Sequence, residues 1–151
     1  MNVLLKKLNF KTQESILILS APAEFRETME DFGKYLAVET SLSEKTIAFC
    51  LTFCTKLSEI KELAPKIVEP SEEDALLWFA YPKKSSKKYQ CEFNRDKGWQ
   101  VLGDLGFEGI RMVAIDEDWS AIRFRKAKHI KTITRDPSWI MSEEGKKKAK
   151  K

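Results

Sequence analysis

The chain has 151 residues, of which 42% are hydrophobic and 33% charged, a balance typical of a folded globular domain. Its apolar runs are much shorter than the roughly 20 residues that a membrane-spanning helix needs, and the N-terminus lacks the pattern of a signal peptide. We therefore expect a cytoplasmic protein with no membrane partner. The net charge of +4 comes mainly from a lysine-rich end at residues 146–151, so the rest of the chain is close to neutral.

Composition also limits the kinds of site that the chain can form. We expect one domain over residues 1–135, followed by a basic, disordered tail over residues 136–151. The chain has three cysteines, an odd number, and Cys50 and Cys54 would lie about 13 Å apart along a predicted strand. With His129 as the only histidine, the sequence predicts neither a disulfide framework nor a metal site.

Strand-like and helix-like segments alternate through the first half of the chain. A short apolar strand is followed by a helix whose apolar residues recur at helical spacing. The next helix is expected to end or break near Pro65, because proline cannot donate a helical hydrogen bond. The predicted elements are, in order, a strand at 15–19, a helix from Pro22 to about Leu36, a strand at 37–42, a strand at 46–54 that is apolar on both faces, and a helix from Leu57.

The second half continues the alternation and then changes character. A polar turn is predicted at 71–74, a buried strand at 75–81, and a helix from about Asn94 to Gly106. Two strands at 110–115 and 121–125 are joined by a link short enough for an antiparallel hairpin. The sequence therefore predicts an α/β, Rossmann-like domain: a mostly parallel sheet of five to six strands, flanked by helices, with a C-terminal antiparallel hairpin.

Two segments carry a resemblance to known proteins. LWFAYPKKSSK at 77–87 and the stretch at 94–125, with its IDEDWSAIRF hairpin, resemble a family of short bacterial proteins of no established activity. Members of that family carry a reduced form of the class I methyltransferase domain, a Rossmann-like sheet closed by an antiparallel final strand. The resemblance covers most of residues 15–135 and implies this fold. It makes adenosylmethionine a possible cofactor.

The chain departs from true methyltransferases after its first strand. Those enzymes have a glycine-rich loop there, which lets the backbone approach the cofactor, whereas this chain has LSAPAEF at 19–25 with no glycine. Side chains at Ser20, Ala21 and Pro22 would crowd that approach. Glu39, 19 residues after Ser20, matches the acidic position that usually holds ribose hydroxyls. The alternative is that Glu39 is simply a charged residue at a strand end.

The lysine-rich segment after the fourth predicted strand is the main candidate for binding an anion. It leaves the carboxyl end of a sheet strand, the edge where open α/β folds place ligands. Its ammonium, hydroxyl and amide groups suit a phosphate or carboxylate, and the alternative is a solvated basic loop. The candidate ligand-binding residues in this segment are Lys83, Lys84, Ser85, Ser86 and Lys87.

Other candidates have simpler interpretations beside the functional one. Trp119 is expected to anchor the packing of its hairpin, or else to stack on a planar ligand. The acids at 116–118 are expected to form a solvated turn rather than a Mg²⁺ site, because successive side chains diverge. His129 is expected at the surface, and no Gly-x-Ser-x-Gly motif accompanies it. Trp78 and Trp99 are expected in the core.

Basic residues are concentrated in the last third of the chain, with Arg123 and Arg125 on one face of a strand. They favour, at most, nonspecific electrostatic contact with nucleic acid. The leading hypothesis is thus a ligand-binding domain, non-catalytic or cryptic, that holds a small anionic ligand near Ser20–Pro22, Glu39 and the lysine-rich segment. The alternatives are a divergent adenosylmethionine-dependent methyltransferase, and a nucleic-acid or protein interaction module that uses the basic C-terminal third.

Overall fold

A six-stranded sheet with helices on both faces forms the domain, which the computed structural model describes for residues 2–43, 45–91 and 98–129. The strand order is β2-β1-β3-β4-β6-β5. Strands β1 to β4 are parallel to one another, and β6 runs antiparallel between β4 and β5. The strands are β1 (Ser15–Leu19), β2 (Ala37–Glu39), β3 (Ile47–Phe53), β4 (Ser71–Pro82), β5 (Phe107–Ala114) and β6 (Trp119–Lys126).

This topology confirms the predicted Rossmann-like α/β class and the antiparallel C-terminal hairpin. The two hairpin strands are longer than predicted, because Phe107 and Trp119 already pair with the ends of their partner strands. The helices are α1 (Val3–Lys7), α2 (Arg26–Phe32), α3 (Leu57–Val68) and α4 (Gln100–Asp104), with a 3₁₀ turn at Ala23–Phe25 and another at Ala127–His129. None of the described helices is long and apolar enough to cross a membrane.

Side chains alternate between the two faces of the sheet and form a core on each. On one face, α3 buries Ile60, Ala64 and Ile67 against the sheet, together with Trp99 and Leu102. On the other face, α1 and α2 bury their apolar residues against even-numbered positions of β1 and β4. Trp78 is fully buried there, and its indole N–H donates to the carbonyl of Leu8 at 3.0 Å. The predicted core positions of Trp78 and Trp99 are confirmed.

Several predicted boundaries are wrong, and the reasons are physical. The predicted turn at 71–74 is the start of β4, where Ser71 pairs with Ile47. Helix α3 continues through Pro65 to Val68. Proline removes only the hydrogen bond to the carbonyl of Lys61, which is exposed and therefore open to water. The short α1 was not predicted, although Asn2 caps it by accepting from two backbone amides.

The remaining corrections concern element length. The helix predicted from Pro22 begins as the 3₁₀ turn and ends at Phe32, short of Leu36, and β2 ends at Glu39 rather than 42. Within the described residues, the helix predicted from Asn94 to Gly106 is α4, and its predicted start lies outside them. The predicted tail at 136–151 also lies outside them.

Candidate functional site

The strand order fixes where a ligand-binding crevice is expected. Strand β1 has β2 on one side and β3 on the other, so the chain reverses direction across the sheet at β1. In open α/β sheets, ligands bind at such a switch point, outside the carboxyl ends of the strands. The residues that immediately follow β1 are Ser20, Ala21 and Pro22.

Ser20 has a left-handed backbone, with φ of 60°. Asn9 is the other non-glycine residue with positive φ in the described ranges, and there the reason is local. It ends α1 in a capping motif, in which its own amide bonds to the carbonyl of Lys6 and the Phe10 amide to that of Leu5. Ser20 follows a strand and has no such role. A strained residue that local structure does not explain is typical of a functional site.

A cleft of about 630 Å³ opens beside Ser20, and we call it the Ser20 cleft. This volume lies within the range of roughly 300–1,000 Å³ that small-molecule sites occupy. Its charged groups, Arg26 and Glu30, come from α2, and Thr40 follows β2. The lining residues are Ile18, Ser20, Ala21, Pro22, Ala23, Arg26, Met29, Glu30 and Thr40.

Arg26 is the cation of the Ser20 cleft. It is exposed, and no carboxylate pairs with it in the part of the chain that the structure describes. It also begins α2, where the helix dipole disfavours a positive charge. An anion in the cleft would therefore relieve an unfavourable local field as well as pair with the guanidinium.

Glu39 does not line the Ser20 cleft. Its carboxylate accepts a hydrogen bond from the Lys45 ammonium at 2.8 Å, and it lines a separate, much smaller pocket. The next residue, Thr40, faces the Ser20 cleft instead. The structure therefore separates Ser20 from Glu39, two residues that the sequence placed in one candidate site.

The lysine loop, residues 83–88, is fastened to the β5–β6 hairpin. The Lys83 amide donates to the carbonyl of Asp118 at 2.7 Å, and the Ser86 hydroxyl donates to the Asp118 carboxylate at 2.9 Å. The Ser86 hydroxyl oxygen also accepts from the amides of Lys88 and Tyr89. Ser86 thus shapes the loop, while Lys84, Ser85 and Lys87 are exposed.

Beyond the lysine loop, the chain crosses to the turn after β1. The Tyr89 hydroxyl donates to the Glu24 carboxylate, and the Lys88 ammonium lies 3.5 Å from the same carboxylate. The hydrogen bond to Glu24 raises the pKa of Tyr89 to about 12 and lowers the pKa of Glu24. The loop is therefore connected to the segment that leads from Ser20 into α2, although its lysines do not line the Ser20 cleft.

Trp119 is buried, with 3% of its surface exposed. Its ring lies 5.0 Å from that of Phe53 and 4.9 Å from that of Tyr89, measured between centroids. Such aromatic contacts stabilise a core beyond the area that they bury. Trp119 acts as the packing anchor of the hairpin, and no broad face of the ring is exposed for a planar ligand to stack on.

The remaining candidate groups have structural roles. Burial raises the pKa of both Cys50 and Cys54 to about 12, so neither thiol is poised to ionise near neutral pH. Asp116 accepts from the amides of Asp118 and Trp119 and so shapes the hairpin turn. His129 is partly exposed and lies 3.3 Å from the Glu73 carboxylate.

Much of the basic charge near the end of the described chain is paired with acids on β4. Arg125 makes two hydrogen bonds to the Asp74 carboxylate, at 2.9 and 2.7 Å. The Glu73 carboxylate pairs with the ammonium groups of Lys126 and Lys128. Glu73 and Asp74 belong to the segment predicted as a polar turn. The negative charges of these two acids reduce the positive surface that the sequence predicts for contact with nucleic acid.

Sequence reasoning missed three polar residues of the Ser20 cleft: Arg26, Glu30 and Thr40. Arg26 carried a weak signal, since a cation in the first turn of a predicted helix is unfavourable without a partner. Thr40 lies one position beyond Glu39, and alternation along a strand sends neighbouring side chains to opposite faces. Glu30 gave no signal of its own.

Comparisons with known proteins give little further information. No protein-family model matches the chain, and no curated protein matches it significantly. Among solved structures, it is similar to a SAM-dependent methyltransferase from Aquifex aeolicus, with 15% identity and a TM-score of 0.49. That match covers 80% of this chain and 86% of the other. At this identity and score, the likeness supports no functional argument.

Proposed function

We propose that this protein binds a small anionic molecule in the Ser20 cleft. The observation that carries the proposal is the left-handed Ser20 at the switch point of the sheet. A non-glycine residue in this conformation costs about 1–2 kcal/mol, and such strain is typical of sites that hold ligands. The cleft beside Ser20 has the volume of a small-molecule site.

The lining of the Ser20 cleft indicates the chemistry of the ligand. Arg26 offers a planar guanidinium that suits a carboxylate or a phosphate. The hydroxyls of Ser20 and Thr40 can donate or accept, and Glu30 can accept from an amine or hydroxyl on the ligand. Because Met29 and Pro22 add apolar surface, we infer a ligand with an anionic group, a hydrogen-bond donor and a compact apolar part.

The lysine loop is a second contributor to this proposal. Its side chains do not line the Ser20 cleft, but Tyr89 and Lys88 tie the end of the loop to Glu24, close in sequence to Ser20. Lys83, Lys84 and Lys87 would then raise the local concentration of an anion rather than grip it. This part of the proposal predicts a smaller effect of the lysines than of Arg26.

A divergent methyltransferase is the second candidate, and the sheet order favours it. The antiparallel β6 lies between β4 and β5, which matches the closing strand of the class I methyltransferase sheet. The cleft fits adenosylmethionine poorly, however. Ala21 and Pro22 occupy the position of the glycine-rich loop, and Glu39 is paired with Lys45 instead of facing the cleft. We therefore place methyl transfer second.

Thermal-shift measurements on the full chain separate the two candidates. The probes are citrate, a nucleoside monophosphate and adenosylhomocysteine, each at constant ionic strength. Ligand at 100 times its dissociation constant adds about 2.7 kcal/mol of stability, which corresponds to roughly 5–10 °C. A shift with citrate or the nucleotide that Arg26→Gln abolishes supports the anion site. A shift with adenosylhomocysteine alone supports the methyltransferase candidate.

The control for this experiment is Lys61→Gln. Lys61 is also exposed, but it lies on α3, which packs against the other face of the sheet. Removing this charge changes the net charge as Arg26→Gln does, without touching the Ser20 cleft. Equal losses in both variants would mean that the ligand responds to overall charge, which would contradict the proposed site.

A further inference from the structure

Two arginines lie directly opposite each other near the edge of the sheet that is farther from the Ser20 cleft. Arg111 on β5 is in register with Arg123 on β6, so both side chains share one face. The Cβ atoms of such a pair are about 4.5–5.5 Å apart. Arg123 is also in register with the buried Trp78 on β4, which places the pair on the face that α1 covers. We call Arg111 and Arg123 the arginine pair.

Charge balance at the arginine pair is unfavourable. Asp74 is the nearby acid, but Arg125 already engages both of its carboxylate oxygens. Across the described ranges, neither Arg111 nor Arg123 has a carboxylate within ion-pair distance. Like charges placed directly opposite each other on neighbouring strands destabilise a sheet. Among the described residues, no ion pair neutralises this local repulsion.

Arg123 is the more buried member of the pair. Its Nε atom is inaccessible to solvent and has no hydrogen-bond partner among the described residues. A buried donor without a partner is costly, because it has given up water and gained nothing in return. Burial, reinforced by the charges of Arg125 and Arg111, lowers the pKa of the Arg123 guanidinium. An anion beside the pair would offset the repulsion among these guanidinium groups.

The arginine pair is reachable from solvent. Arg111 is exposed, whereas Arg123 is only partly so. The guanidinium groups of Arg111 and Arg123 each offer a planar set of N–H donors, which suits a compact anion with several acceptor oxygens. We propose that the arginine pair binds a tetrahedral oxyanion of the phosphate class, either free phosphate or the phosphate group of a small monoester.

The surrounding charges favour a small anion over a nucleic-acid backbone. Lys126 and Lys128 pair with Glu73, and Arg125 pairs with Asp74. A backbone binder needs several free cations that follow successive phosphates, and its affinity then falls steeply with salt. On the described part of this face, the pairing leaves Arg111 and Arg123, at directly opposite strand positions, without a carboxylate, which is enough for one phosphate group.

The test is isothermal titration of the full chain at constant ionic strength, with chloride as the compensating anion. The probes are inorganic phosphate and phenyl phosphate. We expect Arg123→Gln to weaken the binding of phosphate at least tenfold. Lys61→Gln, which removes a positive charge from the exposed side of α3, should leave it unchanged. Tighter binding of phenyl phosphate would identify a monoester as the preferred source, and tighter binding of inorganic phosphate would identify the free ion.

Loss of folding does not confound this test. Arg123→Gln removes a repulsion, so its melting temperature in chloride should be no lower than that of the wild type. Phosphate should raise the melting temperature of the wild type more than that of Arg123→Gln. Equal phosphate affinity in the wild type and Arg123→Gln would overturn the proposal. So would the absence of binding at millimolar phosphate, binding of a short oligonucleotide alone, or an equal loss caused by Lys61→Gln. A loss in Arg26→Gln with none in Arg123→Gln would also overturn it, because the anion would then belong to the Ser20 cleft.

Discussion

Replacing Ser20 with glycine tests whether its left-handed backbone is strained. The conformation costs a non-glycine residue about 1–2 kcal/mol, and glycine removes that cost. Glycine also loses about 0.5–1 kcal/mol more backbone entropy on folding. The balance predicts that Ser20→Gly stabilises the fold by about 0.5 kcal/mol, or roughly 1–2 °C in melting temperature.

The same substitution should weaken ligand binding. Ser20→Gly removes the hydroxyl that lines the cleft, so a ligand hydrogen bond worth about 0.5–1.5 kcal/mol would be lost, a factor of roughly 2 to 13 in affinity. A change that stabilises the fold while weakening binding is the pattern expected where strain serves function. Urea denaturation measures the first effect, and titration with the anion that gives the largest thermal shift measures the second.

Two further substitutions control this experiment. Asn9 is also left-handed, but it caps α1 away from the Ser20 cleft, so Asn9→Gly should leave ligand affinity unchanged. Ser20→Val places a β-branched side chain in the left-handed region and should destabilise the fold by about 1 kcal/mol or more. If Ser20→Val were as stable as the wild type and Ser20→Gly less stable, the reasoning from strain would be wrong.

Three other predictions follow from contacts of the described residues. Hydrogen bonds from Lys128 and Lys126 lower the pKa of Glu73 to about 2 from its ordinary 4.5, so the contribution of Glu73 to stability is present above pH 4.5 and is lost as the pH falls toward 2. The melting temperature of Glu73→Gln should therefore vary less with pH in this range than that of the wild type, and the same pH dependence in both proteins would refute this. Trp78→Phe leaves the Leu8 carbonyl without its donor and should cost about 1–3 kcal/mol in urea denaturation, whereas an unchanged midpoint would show that water replaces the indole. Replacing Lys83 and Lys84 together with glutamine should weaken anion binding less than Arg26→Gln does, and a larger loss in the double variant would move the site to the lysine loop.

The strands were predictable because burial on both faces leaves a continuous apolar run. Residues 15–19, 46–54 and 75–81 show this pattern, and each lies in or overlaps a strand of the sheet. The start of β4 was not predictable in the same way. Glu73 and Asp74 are polar, and they belong to a strand because Arg125 and Lys126 of β6 lie within reach of their carboxylates. Contacts distant in sequence decide such an edge, and local composition does not report them.

The sequence predicts where in the fold the candidate site lies, but not which residues line it. The carboxyl end of β1 follows from the alternation of strands and helices, and Ser20 lies there. The acidic residue chosen by spacing, Glu39, belongs to the wrong face, while its neighbour Thr40 lines the cleft. Spacing along a chain does not fix which face a strand residue takes, since a shift of one residue reverses it.

Serine in place of glycine at the end of β1 also bears on how the cleft would work. A glycine-rich loop binds a ligand by close approach of the backbone, with amides directed at the ligand. Here Pro22 contributes no amide, and Ser20 and Ala21 add side chains where glycine would leave space. Binding must then come from side chains, namely the Ser20 hydroxyl and the Arg26 guanidinium. Because the backbone cannot be approached closely, the cleft should favour a compact anion over an extended nucleotide cofactor.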